Sequence, residues 1–211
     1  FDAPLDEDTL HRWMAQAAAG GDCSLRGTGF ARGFDHRHPL RRVEPDVLVS
    51  ATAPVPAPTR ALRVQARHFF RPVPQLKHVG TFPLFHHRRQ AQKAGFDDAL
   101  FVDGGEARIS EGTVWNIGFW DGTRVVWPQA PALRGTAERL LQAGLAAQGV
   151  AQETRRVGML ELPAFRAAFA CNANGIQLIA AIDELEYADA PELVALLDAA
   201  NAHAPWEPLA P

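Results

Sequence analysis

Lysine is scarce in this chain. Of 211 residues only Lys77 and Lys93 are lysines, and arginine carries the rest of the basic charge. An arginine guanidinium stays protonated near neutral pH, whereas a desolvated lysine can become a free amine and form a Schiff base with a carbonyl. Lys93 falls in the last turn of a predicted helix, before Ala94-Gly95, where a cation complements the helix dipole. Lys77 lies in Gln75-Leu76-Lys77-His78-Val79-Gly80-Thr81-Phe82, at a strand-to-helix junction where a side chain can point into a cleft. Glu111 falls in Ile109-Ser110-Glu111-Gly112-Thr113-Val114-Trp115-Asn116, between a short apolar segment and a strand rich in aromatics. Leu133-Arg134-Gly135-Thr136 opens a helix through a glycine, and the N–H groups at such a start form an anion site. Asn172-Ala173-Asn174-Gly175-Ile176 is a polar turn between apolar strands, suited to an oxyanion. A lysine, a carboxylate and two backbone cradles are the set that pyridoxal 5'-phosphate requires. The lysine holds its aldehyde, the carboxylate keeps its pyridine nitrogen protonated, and the cradles hold its phosphate.

The elements that position these residues follow from periodicity and breakers. Leu5 to Ala19 predicts a helix, capped by Asp6 or Asp8 and stopped by Gly20-Gly21. Ser24 to Phe34 alternates apolar and polar residues, with glycines that suggest bends, and Val47 to Ser50 is a short strand. Ala53 to Thr59 (APVPAPT) is too rich in proline for a helix or central strand and reads as a linker. Residues 1–52 are therefore expected to be the remnant of a small N-terminal α/β domain, 53–59 the linker, and 60–211 a large C-terminal domain. There, Arg60 to Arg71 predicts a strand, ended by Pro72 and Pro74, with Arg63, Arg67 and Arg71 on one face, either solvated or with one of them meeting a substrate carboxylate. Pro83 to Lys93 predicts a helix with proline in its first turn and Gly95 at its close. Ala99 to Asp103 is a short buried run. Thr113 to Trp120 and Arg124 to Trp127 flank Asp121-Gly122, a hairpin signal, and place Trp115, Trp120 and Trp127 in the core or at a subunit interface. Thr136 to Gln148 predicts an amphipathic helix, Thr154 to Val157 a strand and Leu162 to Ala168 a short helix. Phe169 to Cys171 and Ile176 to Ile182 predict strands, and Glu192 to Ala202 a terminal helix.

Composition narrows the function classes. A formal net charge of -3 gives no basic excess to hold a polyanion, so no nucleic-acid partner is expected. The 47% hydrophobic content supports a sizeable core, yet no apolar run reaches the ~20 residues that span a bilayer, and no signal-peptide pattern is read. Two cysteines, Cys23 and Cys171, are too few for a disulfide framework and suggest a reducing, cytoplasmic setting. His36, His38, His86 and His87 lie beside arginines, without cysteines or paired acids, and read as solvated faces; no metal is expected.

From Arg60 to about Asp183 the chain resembles the class IV pyridoxal-phosphate enzymes of fold type IV. That family includes branched-chain and D-amino-acid aminotransferases and aminodeoxychorismate lyase. The resemblance rests on Leu76-Lys77-His78, on Ala94-Gly95-Phe96-Asp97-Asp98-Ala99-Leu100, and on Ser110-Glu111-Gly112-Thr113-Val114-Trp115-Asn116. It continues in Leu133-Arg134-Gly135-Thr136, and in Cys171-Asn172-Ala173-Asn174-Gly175-Ile176 with Ile182-Asp183. Each segment is weak alone; their order and spacing make the signal. The resemblance implies an α/β fold of type IV and pyridoxal phosphate as cofactor. It assigns Lys77 to the Schiff base and proton transfer, and Glu111 to the pyridine nitrogen. It assigns Gly135, Thr136 and Ala137 to the phosphate, Asn172 and Ala173 to the second phosphate and carboxylate turn, and Asn116 to a structural role. It also implies an amino- or keto-acid substrate and a homodimer.

The chain departs from the family at three points. Ala137 stands where a hydroxyl is common, and Phe82 where aminotransferases carry a tyrosine. The family's phosphate-binding arginine lies in a His-x-x-Arg-Leu motif that this sequence does not show, and the run His36 to Arg42 (HRHPLRR) does not match it. The Lys-His dipeptide and the Asn-Ala turn lean toward the lyase branch. Three readings stay open: an aminotransferase, a lyase releasing pyruvate, or a non-catalytic member that binds a ligand or partner.

Overall fold

The computed structural model describes residues 4–105, 107–205 and 207–209. The chain divides into two compact units, Phe1–Pro56 with Pro205–Pro211, and Ala57–Ala204. The division falls inside the proline-rich stretch, whose prolines cannot donate to a ladder.

The first unit holds helix α1 (Glu7–Ala18) and an antiparallel pair, β1 (Ser24–Phe30) and β2 (Asp46–Thr52). Helix α1 ends on Ala19 in the left-handed region (φ 50), followed by Gly20 at φ 74, the turn that its glycine pair predicts. The helix buries none of its residues.

The second unit carries the remaining elements. Strand β3 (Leu62–His68) leads through a long loop into α2 (Phe82–Lys93) and the fully buried β4 (Asp98–Val102). Then come β5 (Ile109–Gly112), β6 (Asn116–Trp120) and β7 (Arg124–Pro128). Helix α3 (Thr136–Ala147), β8 (Ala151–Arg155) and a 3-10 turn (Met159–Ala164) follow. The unit closes with β9 (Ala167–Asn172), β10 (Gly175–Ile182), β11 (Leu185–Glu186) and α4 (Pro191–Ala202).

The strands form one mixed sheet in the order β5-β4-β3-β10-β9-β6-β7-β8, with β11 beside β10. Strand β3 runs parallel to β4 and β10, and β7 parallel to β8; the other pairs are antiparallel. The sheet curls until its ends meet. The Ile109 N–H donates to Val157 O at 2.9 Å, and the Met159 N–H to Ala107 O at 3.2 Å. The edge that β5 would expose is thereby bonded to the segment after β8. One cluster of the core joins Val64, Leu100, Ile109, Ile117, Ile179 and Ile182. A second sets Trp120, Trp127 and Phe169 against Leu141 and Leu145 of α3 and Leu193 and Leu197 of α4. Helix α2 covers Ala99 and Phe101 of β4 with Leu84 and Ala91. Helices α3 and α4 cross closely at Gly144, where an added Cβ would overlap the Ala200 carbonyl.

Several expectations are corrected. The strand expected at Thr154 to Val157 runs Ala151–Arg155, because Gly149 (φ 71) turns the chain early and Ala151 pairs with Arg124. The helix expected at Leu162 to Ala168 is only the 3-10 turn. Pro163 lacks a donor, and Ala167 and Ala168 are recruited as strand partners of Trp120 and Phe119. The strand expected to reach Arg71 stops at His68, its last pairing with β4 opposite Val102. His87 is half-buried rather than on a solvated face: its ring lies 4.8 Å from that of Phe69 and 5.6 Å from that of Phe101. Trp115, Trp120 and Trp127 are buried in the core, the first of the two places expected for them.

Candidate active site

The site is organised around Glu111. Strand β5 is too short to bury its residues by pairing alone, but packing from both sides leaves Glu111 only 3% exposed. One carboxylate oxygen, Oε2, accepts the Leu133 N–H at 3.1 Å. The other, Oε1, lies 3.2 Å from Arg71 Nε, yet neither atom makes an aligned hydrogen bond. Burial disfavours the charged form and pushes the Glu111 carboxyl up to about 7, against the pull of Arg71, the Leu133 N–H and Arg134; Glu138 adds to the rise. A buried carboxylate oxygen without a donor is a place for a protonated nitrogen.

Arg71 corrects the expectation of a solvated face. It lies beyond β3 and is itself buried, 7% exposed, against Glu111. Since β3 ends at His68, the alternation that set Arg71 with Arg63 and Arg67 no longer applies. The early Pro72 and Pro74 are the one signal that could have shown this. Arg71 shares its loop with Lys77 and ties that loop to Glu111. Lys77 itself is exposed, and among the described residues no hydrogen bond or ion pair fixes its amine.

The start of α3 is pinned from two strands. Asn116, first residue of β6, donates from Nδ2 to Leu133 O at 2.6 Å and accepts the Gly135 N–H on Oδ1 at 3.2 Å. An added Cβ on Gly135 would overlap that Oδ1, so the glycine is required by the approach of Asn116. The Gly135 N–H is engaged by Asn116. The N–H groups of Thr136 and Ala137, at the helix start, have no intrahelical acceptor and remain for an anion. The Ala137 methyl packs on the α3–α4 core, which accounts for a small apolar residue there.

The second turn joins the same region. Asn116 pairs with Cys171, so Asn172 at the end of β9 lies beside the start of β6. Asn172 accepts the Asn174 N–H on Oδ1 at 2.8 Å and donates from Nδ2 to Val114 O at 3.2 Å. Its amide is thus consumed in holding the turn, and Ala173 stands exposed at the tip. Gly175, at φ 132, makes the return into β10. The loop between β5 and β6 is held by Asp98, which is buried. Asp98 accepts from Thr113 Oγ1 and Trp115 Nε1, each at 2.8 Å, and from Arg88 Nη2 at 2.5 Å. The Trp115 indole fills the space a side chain on Gly112 would need, locking the backbone next to Glu111.

The structure therefore brings together Glu111, Asn116, Leu133 to Gly135 and Asn172, and adds Arg71 and Asp98, which sequence reasoning had not placed. It sets Lys77 on the adjoining loop. Among the described residues no group of three or more His, Cys, Asp or Glu could hold a metal, and no helix is long and apolar enough to cross a membrane.

Comparison with solved structures gives the fold class directly. A branched-chain aminotransferase from Thermoproteus uzoniensis, solved with norvaline, is 18% identical with a TM-score of 0.84, covering 95% of this chain and 72% of that one. A protein of Legionella pneumophila assigned as a 4-amino-4-deoxychorismate lyase is 19% identical with a TM-score of 0.80, covering 96% and 78%. An aminotransferase from Brucella abortus bound to pyridoxal phosphate is 17% identical with a TM-score of 0.79, covering 97% and 78%. These likenesses define the α/β fold of the type IV enzymes. Comparison with curated protein sequences returned no match. The family model for class IV amino-transferases matches residues 2–182, and the chain belongs to that family, whose cofactor is pyridoxal phosphate.

Proposed function

We propose that this chain is a pyridoxal-phosphate-dependent aminotransferase acting on an amino acid or related amine. The observation that carries the reading is Glu111, a buried carboxylate with one oxygen that makes no aligned hydrogen bond, bonded through Leu133 to the segment that opens α3. That arrangement fits a cationic ring nitrogen at one end and a phosphate at the other. When bound, the cofactor supplies an aldehyde that condenses with amines and a ring that withdraws electrons. Glu111 Oε1 would accept a hydrogen bond from the protonated ring nitrogen and so favour its protonated form, and Arg71 would hold the carboxylate in place. The N–H groups of Thr136 and Ala137 would hold the phosphate, with Asn116 fixing the start of α3. The Asn172-Ala173 turn receives a second anionic group, phosphate or substrate carboxylate. Lys77 Nζ is the amine for covalent attachment and the base that moves the substrate's α-proton.

A second reading, a lyase that releases pyruvate, draws on Lys77-His78 and Asn172-Ala173. Product analysis separates the two: a keto acid that appears only with an amino acceptor marks the aminotransferase, and pyruvate without an acceptor marks the lyase. The test of the shared step is direct. Protein incubated with pyridoxal phosphate should turn yellow, and borohydride should fix the cofactor on the peptide bearing Lys77; Lys77→Ala should abolish the label and Lys93→Ala should not. A colourless protein, or a label on Lys93, defeats the assignment and leaves the non-catalytic reading.

The active unit is proposed to be a homodimer. Phe70, Val79 and Phe82 around Lys77 are 58%, 72% and 80% exposed, an apolar surface that a second copy would cover. Light scattering at micromolar concentration should give twice the mass of 23.0 kDa. The free thiols of Cys23 and Cys171 support a reducing setting, the cytoplasm.

A further inference from the structure

The mechanism above leaves the buried acid of α3 unused. Glu138, in the first turn of α3, is 1% exposed. Its Oε1 receives Arg134 Nη1 at 2.7 Å and Gln142 Nε2 at 3.3 Å, while Oε2 has no partner. Arg134 continues across the loop, its Nη2 donating to Pro128 O at 2.7 Å and to Ala130 O at 3.4 Å. The residue before it, Leu133, is the one whose N–H holds Glu111. One dipeptide therefore faces two buried carboxylates, with its backbone on Glu111 and its side chain on Glu138. Asn116 grips the same segment at Leu133 O and Gly135 N.

We infer that Arg134 and Glu138 form a positioning clamp that holds Leu133, and with it the Glu111 carboxylate, in place from the start of α3. This deepens the proposed function and rests on Glu111 being the group that meets the cofactor ring. The segment from Leu133 to Gly135 has little slack, since its backbone is bonded on both sides. If the Arg134 anchor is lost, Leu133 can drift and Glu111 loses a donor to its charged form. The charges act in the same place. Arg134 favours ionised Glu111, whereas ionised Glu138 opposes it, and burial pushes both acids up.

The charged surroundings are limited. Glu111 faces Arg71, Arg134 and Glu138. Glu138 faces Arg134, Arg139, Glu111 and, from β9, the buried Cys171 thiol. From α4, Leu193, Leu197 and Ala200 pack into the shared core, while Glu192 and Asp198 are exposed. Strand β8 meets α3 through the neutral Gln152, bonded to Gln142 O. Arg134 and Glu138 are therefore the side chains through which the start of α3 acts on Glu111.

The experiment is a carbon-13 NMR titration of glutamate carboxyls in the cofactor-free protein, with Glu111 assigned by its loss in Glu111→Gln. Glu138→Gln removes the opposing charge but leaves an acceptor for Arg134, so the Glu111 midpoint should fall. Arg134→Met removes the favouring charge and the anchor, so the midpoint should rise. Opposite directions are the signature of the clamp; a general loosening would move both the same way. Binding of pyridoxal, which lacks the phosphate, should weaken about tenfold in Arg134→Met, because the ring end is disturbed. Midpoints unchanged in both variants, or shifts of one sign, would overturn the inference, as would a loss confined to pyridoxal phosphate. Should Arg134→Met not fold, Glu138→Gln and the double variant Arg134→Met/Glu138→Leu decide. The double variant replaces the pair with apolar side chains, which buried sites tolerate better than one lone charge. A Glu111 midpoint equal to wild type in both then overturns the clamp. Failure of wild-type protein to bind pyridoxal phosphate would refute the proposed function and leave the NMR result standing.

Discussion

Replacing Glu111 with glutamine should make the cofactor-free protein more stable at alkaline pH while removing its capacity to hold pyridoxal phosphate. The Glu111 carboxyl is pushed up to about 7 from an ordinary 4.5, chiefly by burial. Between those values the folded chain keeps a proton that the unfolded chain has released. Stability therefore declines as pH rises through this window; the loss is absent below about 4.5 and complete above about 7. A displacement of that size corresponds to about 3 kcal/mol. Glutamine is nearly isosteric with the protonated acid, so the variant should match wild type at pH 5. At pH 8 it should exceed wild type by about 3 kcal/mol, or about 1.5 M in urea midpoint. His87, held below its ordinary value by burial and by Arg67 and His86, tilts the profile the other way below pH 6.5, and Glu138 tilts it with Glu111. The difference between variant and wild type cancels both to first order. Trp115, Trp120 and Trp127, all buried, report the transition by fluorescence. Parallel pH profiles, or a variant less stable at pH 8, would refute the reasoning by showing that Arg71 already makes ionised Glu111 comfortable.

Three further outcomes follow from close contacts. Gly135→Ala drives a methyl into Asn116 Oδ1 and should cost about 1–3 kcal/mol while weakening cofactor binding, seen as a lower urea midpoint and a higher Kd together. Asp98→Ala strands the donors of Thr113, Trp115 and Arg88 and should cost about 3 kcal/mol or more, with a red shift of Trp115 emission as its surroundings loosen. Gly144→Ala forces α3 from the Ala200 backbone and should cost about 1–3 kcal/mol with cofactor affinity nearly unchanged, because the contact is remote from the start of α3.

Much of the fold could be read locally. The Asp121-Gly122 turn, with Gly122 at φ 103, and the alternation around Val64 are decided by neighbours a few residues away. Boundaries failed where a distant partner decided, as when Ala167 and Ala168 entered β9, paired with β6, instead of a helix. At the site, the residue types and spacing pointed to Glu111 and to the Gly135 turn. The bonds that connect them pass through the backbone of Leu133, and a sequence carries no mark of which N–H a carboxylate will take. Arg71 was hidden for the same kind of reason: its partner is forty residues on, in another strand (Glu111). Glu138 drew no reading from the sequence, since nothing nearby in the chain marks it for burial.

The meeting of the two sheet ends has a kinetic meaning. Strand β5 pairs with β4 a few residues earlier, but its other edge waits for Val157 and Met159, which lie beyond β6, β7, α3 and β8. Such non-local closure costs loop entropy before it gains any bonds and is slow among folding events. Glu111 sits on that strand, so it acquires its buried surroundings only when the ring is sealed. A chain emerging during synthesis can build β3, α2 and β4 first, while the carboxylate beside them stays hydrated and holds no ligand selectively. Capture of the cofactor would then report completion of the second unit, and refolding followed by cofactor colour should lag refolding followed by helix content.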